Sequence, residues 1–331
     1  MRNRVMISAP YMQPVVDRFR ASFEEQGIDV FVPPVHERLE EDELLLLTGD
    51  VDGVICGDDR FTRRVLERAQ RLKVISKWGT GIDSIDKDAC RDLGIRLCNT
   101  PNAFTVPVAD STFAYLLAFA RRTFEMDQAM KAGEWDKIPG VTLAESTLGV
   151  IGLGNIGREV ARRARAFGMR VIGCDPVAPP AQFIGASGIE MTSLERVLRE
   201  SDFVTLHTDL NPTSRHLINA NTLHAMKRTA VLINTSRGPV VHEAALIDAL
   251  QHGRLAGAGL DVFEFEPLST RSPLRSMRNV LIAPHNSNSS PAAWERVHQS
   301  TIRNLINGLK EVERWQPSDA KMFSESLRLP A

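Results

Sequence analysis

Short apolar runs alternate with helix-like segments along nearly the whole chain, and this alternation limits the fold more than any other feature. Between residues 4 and 98 there are five runs, Arg4–Ser8, Asp29–Val32, Gly53–Cys56, Leu72–Ser76 and Ile95–Cys98. The segments between them read as helices. Pro14–Gln26 is closed by Gly27, Glu40–Leu47 follows, Thr62 is a good N-cap for a helix through Ala69, and Ile85–Leu93 is closed by Gly94. Strands joined by helices are parallel neighbours, because a parallel pair needs a crossover connection. A second series starts at Thr147, with strands expected at Leu148–Gly152, Met169–Gly173, Phe203–His207, Ala230–Asn234, Ala258–Val262 and Val280–Ala283. The expected fold class is therefore α/β, with two doubly wound parallel sheets.

Between the two series lies a long helix, Pro107–Arg122, with a largely apolar body. Such a helix needs cover on most sides, and a second subunit is one source of it. A polar stretch follows, Glu125 to Glu145, interrupted by Gly133, Pro139 and Gly140. Trp294–Leu309 is helical again and has no strand after it.

Composition narrows the function. At ~100–200 residues per domain, 331 residues suggest two domains. With 43% hydrophobic and 24% charged residues, the disordered, collagen-like and coiled-coil classes are excluded. Forty Lys+Arg against 41 Asp+Glu leave no basic excess for a general nucleic-acid binder. Cys56, Cys90, Cys98 and Cys174 are scattered, with no C-x-x-C spacing and no His cluster, so no metal site is expected. Reduced thiols in a long chain suit the cytoplasm. The first residues, Met1–Ser8, hold too short an apolar run for a signal peptide. The apolar stretch Phe113–Ala120 is far shorter than the ~20 residues that span a bilayer.

The strand at Leu148 runs into Gly152-Leu153-Gly154-Asn155-Ile156-Gly157, and a helix beginning Arg158-Glu159-Val160-Ala161 follows. A bare G-x-G-x-x-G says little, but a strand before it and a helix after it supply the context of a dinucleotide site. Gly152 permits the tight turn, Gly154 lets backbone approach a pyrophosphate, and Gly157 allows helix to pack closely on strand. The helix N-terminus adds unpaired N–H groups and positive dipole. An acidic residue is expected ~20 positions on, at the end of the next strand. Asp175 stands there, 18 residues after Gly157. Its carboxylate can accept both adenosine ribose hydroxyls and would repel a 2′-phosphate. Pro176-Val177-Ala178 offers no compensating arginine. NAD is therefore expected in preference to NADP.

Three polar residues follow later strands, where open α/β sheets place their ligands. Arg237, in Asn234-Thr235-Ser236-Arg237-Gly238, sits on a sharp strand-to-helix turn and can present a bidentate fork to a carboxylate. Glu266 lies in Asp261-Val262-Phe263-Glu264-Phe265-Glu266-Pro267. Strand alternation puts Asp261 and Glu264 on different faces there. His285 comes directly after the last strand, in Ala283-Pro284-His285-Asn286. A loop arginine is more often merely solvated and a lone histidine more often structural. The strand-end position raises the functional weight of both.

With these motifs in place, the chain resembles the D-isomer-specific 2-hydroxyacid dehydrogenase family. The resemblance spans about residues 50 to 310. It is carried by the glycine motif, Asn234–Gly238, Asp261-Val262-Phe263 through Glu266-Pro267, and Pro284-His285. It extends to Gly79-Thr80-Gly81-Ile82-Asp83-Ser84-Ile85-Asp86 and Cys98-Asn99-Thr100-Pro101-Asn102. The branch it most resembles is that of phosphoglycerate dehydrogenases and hydroxypyruvate reductases.

The resemblance implies an NAD-binding Rossmann domain over residues 102–288. It implies a flavodoxin-like substrate domain split between 1–101 and 289–331, with the active site in the cleft between the domains. It implies that His285 is the general acid and base, that Glu266 holds its other ring nitrogen and raises its pKa, and that Arg237 binds the substrate carboxylate. Cofactor contacts are implied for Asn155, Ile156, His207, Thr235 and Asp261, besides Gly152, Gly154, Gly157 and Asp175. Substrate contacts are implied for Lys77, Gly79, Thr80, Gly81 and Asn286. Lys77 also reads as an ordinary surface lysine. The partners implied are a small 2-hydroxy or 2-keto acid and a second copy of the chain, with no nucleic acid and no membrane.

Two features depart from the family. Asn286-Ser287-Asn288-Ser289-Ser290 replaces the usual Gly-Gly pair, with amides and hydroxyls that suit a polyol-like substrate or an Asn in a left-handed turn. Cys56-Gly57-Asp58-Asp59-Arg60 stands where phosphoglycerate enzymes tend to carry an arginine, and its two carboxylates weaken the case for a phosphorylated substrate. Two other readings remain open. One is an NAD(H)-responsive corepressor with little turnover. The other is a formate- or phosphite-type dehydrogenase.

Overall fold

The computed structural model describes residues 2–314. Within them the chain forms two compact units. One contains the described residues up to Ala103 together with those from Trp294 on, and the other is Phe104–Ala293. Part of the expected segment 289–331, that beyond residue 314, lies outside the described residues.

The smaller unit holds a sheet of β1 (Asn3–Ile7), β2 (Ile28–Phe31), β3 (Gly53–Cys56), β4 (Val74–Lys77) and β5 (Arg96–Cys98). Its order is β2-β1-β3-β4-β5 and every pairing is parallel. Thr62 accepts from the Val65 N–H (3.4 Å), and Asp86 likewise from Ala89 (2.7 Å), so both caps are local side-chain chemistry. The helix Pro291–Arg314 supplies cover that the first hundred residues lack. A Cβ on Gly53 would meet Leu305 at 2.9 Å, and the Ser76 hydroxyl donates to the Thr301 carbonyl at 2.9 Å.

The larger unit holds β6 (Thr147–Ile151), β7 (Arg170–Cys174), β8 (Glu190–Met191), β9 (Phe203–Leu206), β10 (Val231–Asn234), β11 (Gly257–Leu260) and β12 (Val280–Ile282). The order β12-β11-β10-β9-β6-β7-β8 is again wholly parallel. Alternation divides the strands between two cores. Val204, Leu206 and Leu232 join one buried cluster, and Phe203, Val231 and Ile233 join the other. Both faces are covered, which is why these strands read as continuous apolar runs.

The strands expected from the sequence are all present, shifted by at most two residues. Three details differ. The first helix is a 3-10 turn at Gln13–Phe19 before an α-helix at Arg20–Glu25. The edge strand β8 is too short to show a period. Part of the polar stretch is a helix, Thr123–Lys131, that buries no side chain. It is laced instead by Arg122–Glu125 (2.5 Å) and Lys131–Asp127 (2.7 Å) ion pairs, so it has no apolar stripe to reveal it.

Candidate active site

Register aligns the candidate residues before any side chain is considered. Ile151 pairs with Cys174 on one side and Leu206 on the other, Leu206 with Asn234, Asn234 with Leu260, and Leu260 with Ile282. The next residue on each strand therefore falls in one row along the carboxyl edge: Asp175, Gly152, His207, Thr235, Asp261 and Ala283. Backbone bonds continue along this row past the strands. The His207 N–H donates to Ile151 (2.8 Å), Asp261 to Asn234 (3.0 Å), and His285 to Asp261 (2.8 Å). Sheet order reverses at β6, so Gly152 and His207 flank the topological switch point.

The glycine loop has a specific reason at each position. Gly152 adopts φ +91°, and a Cβ there would lie 2.6 Å from the His207 carbonyl oxygen. A Cβ on Gly157 would sit 1.9 Å from the Gly152 oxygen. Gly154 instead faces open space and N-caps the helix Asn155–Ala166, leaving room for a ligand over the first helical N–H groups. Asn155 is exposed and Ile156 half-buried. Asp175 accepts the N–H of Leu153 (2.6 Å) and of Val177 (2.8 Å), so it braces the loop. Both His207 ring nitrogens and the Thr208 hydroxyl are buried without a protein partner. Burial pushes the His207 imidazole down to about 3, so it is neutral and able to accept or donate one bond to a ligand. An open cradle over helix N–H groups, an acid at the second strand end and an unpartnered neutral imidazole fit a dinucleotide.

Thr235 is buried, its hydroxyl 3.1 Å from that of Thr112 in the long helix Thr105–Arg121. Asn234 shapes the turn that presents Arg237. Its Oδ1 accepts the Ser236 N–H (3.0 Å) and its Nδ2 donates to the Arg237 carbonyl (2.9 Å). Gly238 is forced by close approach, since a Cβ would lie 1.8 Å from the Phe263 carbonyl oxygen.

His285 Nδ1 lies 2.9 Å from Glu266 Oε2, and Glu266 Oε1 accepts the Phe263 N–H at 2.9 Å. His285 and Glu266 are each mostly buried, with 24% and 18% of their side chains exposed. Asp261 Oδ1 accepts the Asn286 N–H (2.8 Å) and Oδ2 the Ser287 N–H (2.9 Å). The left-handed residue of this loop is His285 itself, at φ +50°. Neither Asn286 nor Asn288 has a positive φ, so the reading of an Asn in a left-handed turn, one of the two offered for this loop, does not hold; Asn286 is exposed. A carboxylate-anchored imidazole and an arginine fork on one sheet edge can donate a proton to a carbonyl oxygen and hold a carboxylate.

In the smaller unit, Gly79 (φ +128°) accepts the Thr100 N–H through its carbonyl (2.9 Å), and Asn99 Nδ2 donates to the Thr80 carbonyl (2.6 Å). Gly81 is half-buried beside them. Lys77 is not a surface lysine. It is 4% exposed, with Nζ 3.1 Å from Asp58 and 3.2 Å from the Trp78 carbonyl. Asp59 is fully buried, accepts the Ser8 hydroxyl and the Leu39 N–H, and is pushed up to about 6 by burial. Arg60 is exposed. Among the described residues no group of His, Cys, Asp and Glu could hold a metal ion, and no helix is long and apolar enough to cross a membrane.

The sequence marks Asn234 only as part of the Asn234–Gly238 motif, without its bracing role, and does not mark Thr112. Asn234 carried a readable signal, an Asn opening a turn with Ser two residues on. Thr112 carried none, because its partner is distant in the chain.

Comparison with known proteins extends the same picture. Residues 113–287 match the NAD-binding domain of the D-isomer-specific 2-hydroxyacid dehydrogenases. The chain is 37% identical to a glyoxylate reductase of Korarchaeum cryptofilum, covering 92% of both proteins. It is 37% identical to a hydroxypyruvate reductase of Thermotoga maritima, covering 82% of this chain and 90% of that protein. It superposes on a D-lactate dehydrogenase of Aquifex aeolicus, solved with NAD and lactic acid, at a TM-score of 0.83 and 29% identity over 93% of this chain and 97% of that one. These relatives are dehydrogenases and reductases, in keeping with an enzyme and not with a corepressor. A sheet edge that lines up a dinucleotide turn with a histidine–glutamate pair, in a chain this similar along its length, makes the protein a member of the D-isomer-specific 2-hydroxyacid dehydrogenase family, an NAD-dependent oxidoreductase.

Proposed function

We propose that the protein reduces a short, unphosphorylated 2-keto acid of the glyoxylate or hydroxypyruvate class to the D-2-hydroxy acid, and catalyses the reverse oxidation. The observation that carries this reading is the Glu266–His285 pair on the sheet edge that also holds the glycine loop and Arg237. NADH, when bound, supplies the hydride that the keto carbon receives. His285 gives a proton to the keto oxygen and takes it back from the hydroxyl in oxidation, while Glu266 fixes the ring and favours its charged form. Arg237 grips the substrate carboxylate and polarises the keto oxygen. The N–H groups at Gly154, Asn155, Ile156 and Gly157 hold the pyrophosphate, and Gly152, His207, Thr235 and Asp261 line the rest of the cofactor site. Asp175 takes the adenosine ribose and sets NAD above NADP. Gly79, Thr80 and Gly81 clasp the substrate carboxylate with backbone, and Asn286 adds a contact, whereas Lys77, buried and paired with Asp58, does not. Asp58 neutralises Lys77, so Lys77 is poorly placed to receive a phosphate, which supports an unphosphorylated substrate.

The same reading makes the protein a cytoplasmic homodimer. Val106, Phe124, Met130 and Trp135, on or beside the helices Thr105–Arg121 and Thr123–Lys131, are exposed apolar side chains suited to a second copy. Domain limits near 101 and 288, close to the observed units, belong to it too.

The test is NADH oxidation with glyoxylate, hydroxypyruvate, pyruvate and phosphohydroxypyruvate. Glyoxylate or hydroxypyruvate is expected to exceed the phosphorylated acid in kcat/KM by about 10-fold or more. No turnover of any 2-keto acid overturns the reading, and a preference for the phosphorylated acid overturns its substrate class.

A further inference from the structure

A second histidine–glutamate pair, whose glutamate stands two residues before Glu266, is used by nothing described so far. Glu264 Oε1 is 2.6 Å from His216 Nε2. Glu264 Oε2 accepts the N–H of Glu243 (3.0 Å), and the Glu264 N–H donates back to Glu243 Oε2 (3.1 Å). His216 is itself left-handed, at φ +52°, and its ring meets that of His242 edge-on at 4.7 Å. His242 in turn caps the helix Glu243–Gln251 by accepting the Ala245 N–H (3.2 Å). The loop Phe263–Glu266 is thus held twice. Glu266 faces His285, and Glu264, two residues earlier, ties the loop to the helix start and to the segment before Ile218. Gly238, next to Arg237, lies directly under the Phe263 carbonyl. The loop bearing Glu266 and the turn bearing Arg237 therefore form one packed block, and Glu264 is its anchor.

We propose that Glu264, gripped by His216 and Glu243, is a positioning residue that fixes Glu266, and through it His285, in the orientation needed for proton transfer. The inference rests on the reading of His285 as acid and base. Burial works to raise the Glu264 carboxyl, but the Glu243 N–H and the imidazoles of His216 and His242 outweigh it and hold the group below its ordinary value. Burial raises Glu243. The two acids are driven apart, so the ionised member is the one that bonds the histidine. An imidazole held by a carboxylate on a loose loop loses both its aim and the stabilisation of its charged form.

The test compares Glu264→Ala and Glu264→Gln with the parent protein by NADH binding, kcat, and NMR titration of the His285 ring. Glu264→Ala is expected to lower kcat by about 10- to 100-fold with NADH affinity changed by about twofold at most, and to lower the His285 pKa. Glu264→Gln keeps an oxygen for the Glu243 N–H and is expected to show a smaller change of the same sign. An unchanged kcat and His285 titration in Glu264→Ala overturns the proposal. So does a loss of kcat and NADH binding together with the His285 titration unmoved, which is what general loosening gives. If Glu264→Ala does not fold, Glu264→Gln decides by the same titration. The titration needs no turnover, so a parent protein inert towards every 2-keto acid defeats the proposed function and leaves this measurement standing.

Discussion

His285 occupies a left-handed conformation that costs an ordinary residue ~1–2 kcal/mol, and its neighbours hold it there. The Asp261 carbonyl takes its N–H, the Asp261 carboxylate takes the next two, and Glu266 takes the ring. A side chain held in this way is expected to be needed for chemistry more than for binding. Replacing His285 by Ala is expected to lower kcat by ~10²–10⁴ while NADH affinity stays near that of the parent, read by steady-state kinetics and cofactor fluorescence. Full turnover in that variant would remove His285 from the acid–base role. Asp175 is a different case, because its carboxylate already accepts two backbone N–H groups. Asp175→Ala is expected to narrow the ratio of kcat/KM with NADH to that with NADPH. An unaltered ratio would assign the residue wholly to bracing the glycine loop.

At the scale of elements, two glycines in the same unit make opposite predictions. The Cβ of Gly238→Ala has to share space with the Phe263 carbonyl, and backbone on both sides has little room to yield. We expect a loss of at least ~1–3 kcal/mol in stability, with a fall in kcat because Arg237 is the preceding residue. Gly154→Ala places its methyl in open space, so the thermal transition is expected to stay put while NADH binds more weakly. Equal thermal shifts in the two variants would contradict this account. The helix Thr123–Lys131 shows why one element escaped a reading of apolar period. Ion pairs along its surface support it, and its apolar side chains Phe124 and Met130 are exposed rather than directed at a core.

At the scale of the molecule, each unit has its own buried polar load, and that of the smaller unit titrates. Asp59, raised from 3.8 to about 6 by burial, binds its proton more tightly folded than unfolded. Its contribution to stability is therefore full below about pH 4 and lost as pH rises through about 6. Asp59→Asn keeps an acceptor for Leu39 and a donor towards Ser8. It is expected to make the protein more resistant to denaturant above that window and to flatten the dependence of stability on pH within it. Parallel denaturation curves for parent and variant across the window would sink the argument.

The sequence by itself determined the parallel α/β class, the positions of every strand but the edge strand β8 to within two residues, the dinucleotide turn, and the candidates Arg237, Glu266 and His285. These depend on neighbours in the chain: a period of apolar residues, glycines at a turn, a polar residue just past a strand. Tertiary structure alone decided that Lys77 is buried against Asp58, that His285 and not Asn286 is left-handed, and that Glu264 is held by His216 and Glu243. It also decided that Thr112 meets Thr235. Each of those contacts joins residues 19 to 123 positions apart or depends on what packs beside them. Strand register creates such meetings, and register is set by sheets pairing and burying both faces, which no local stretch of sequence records.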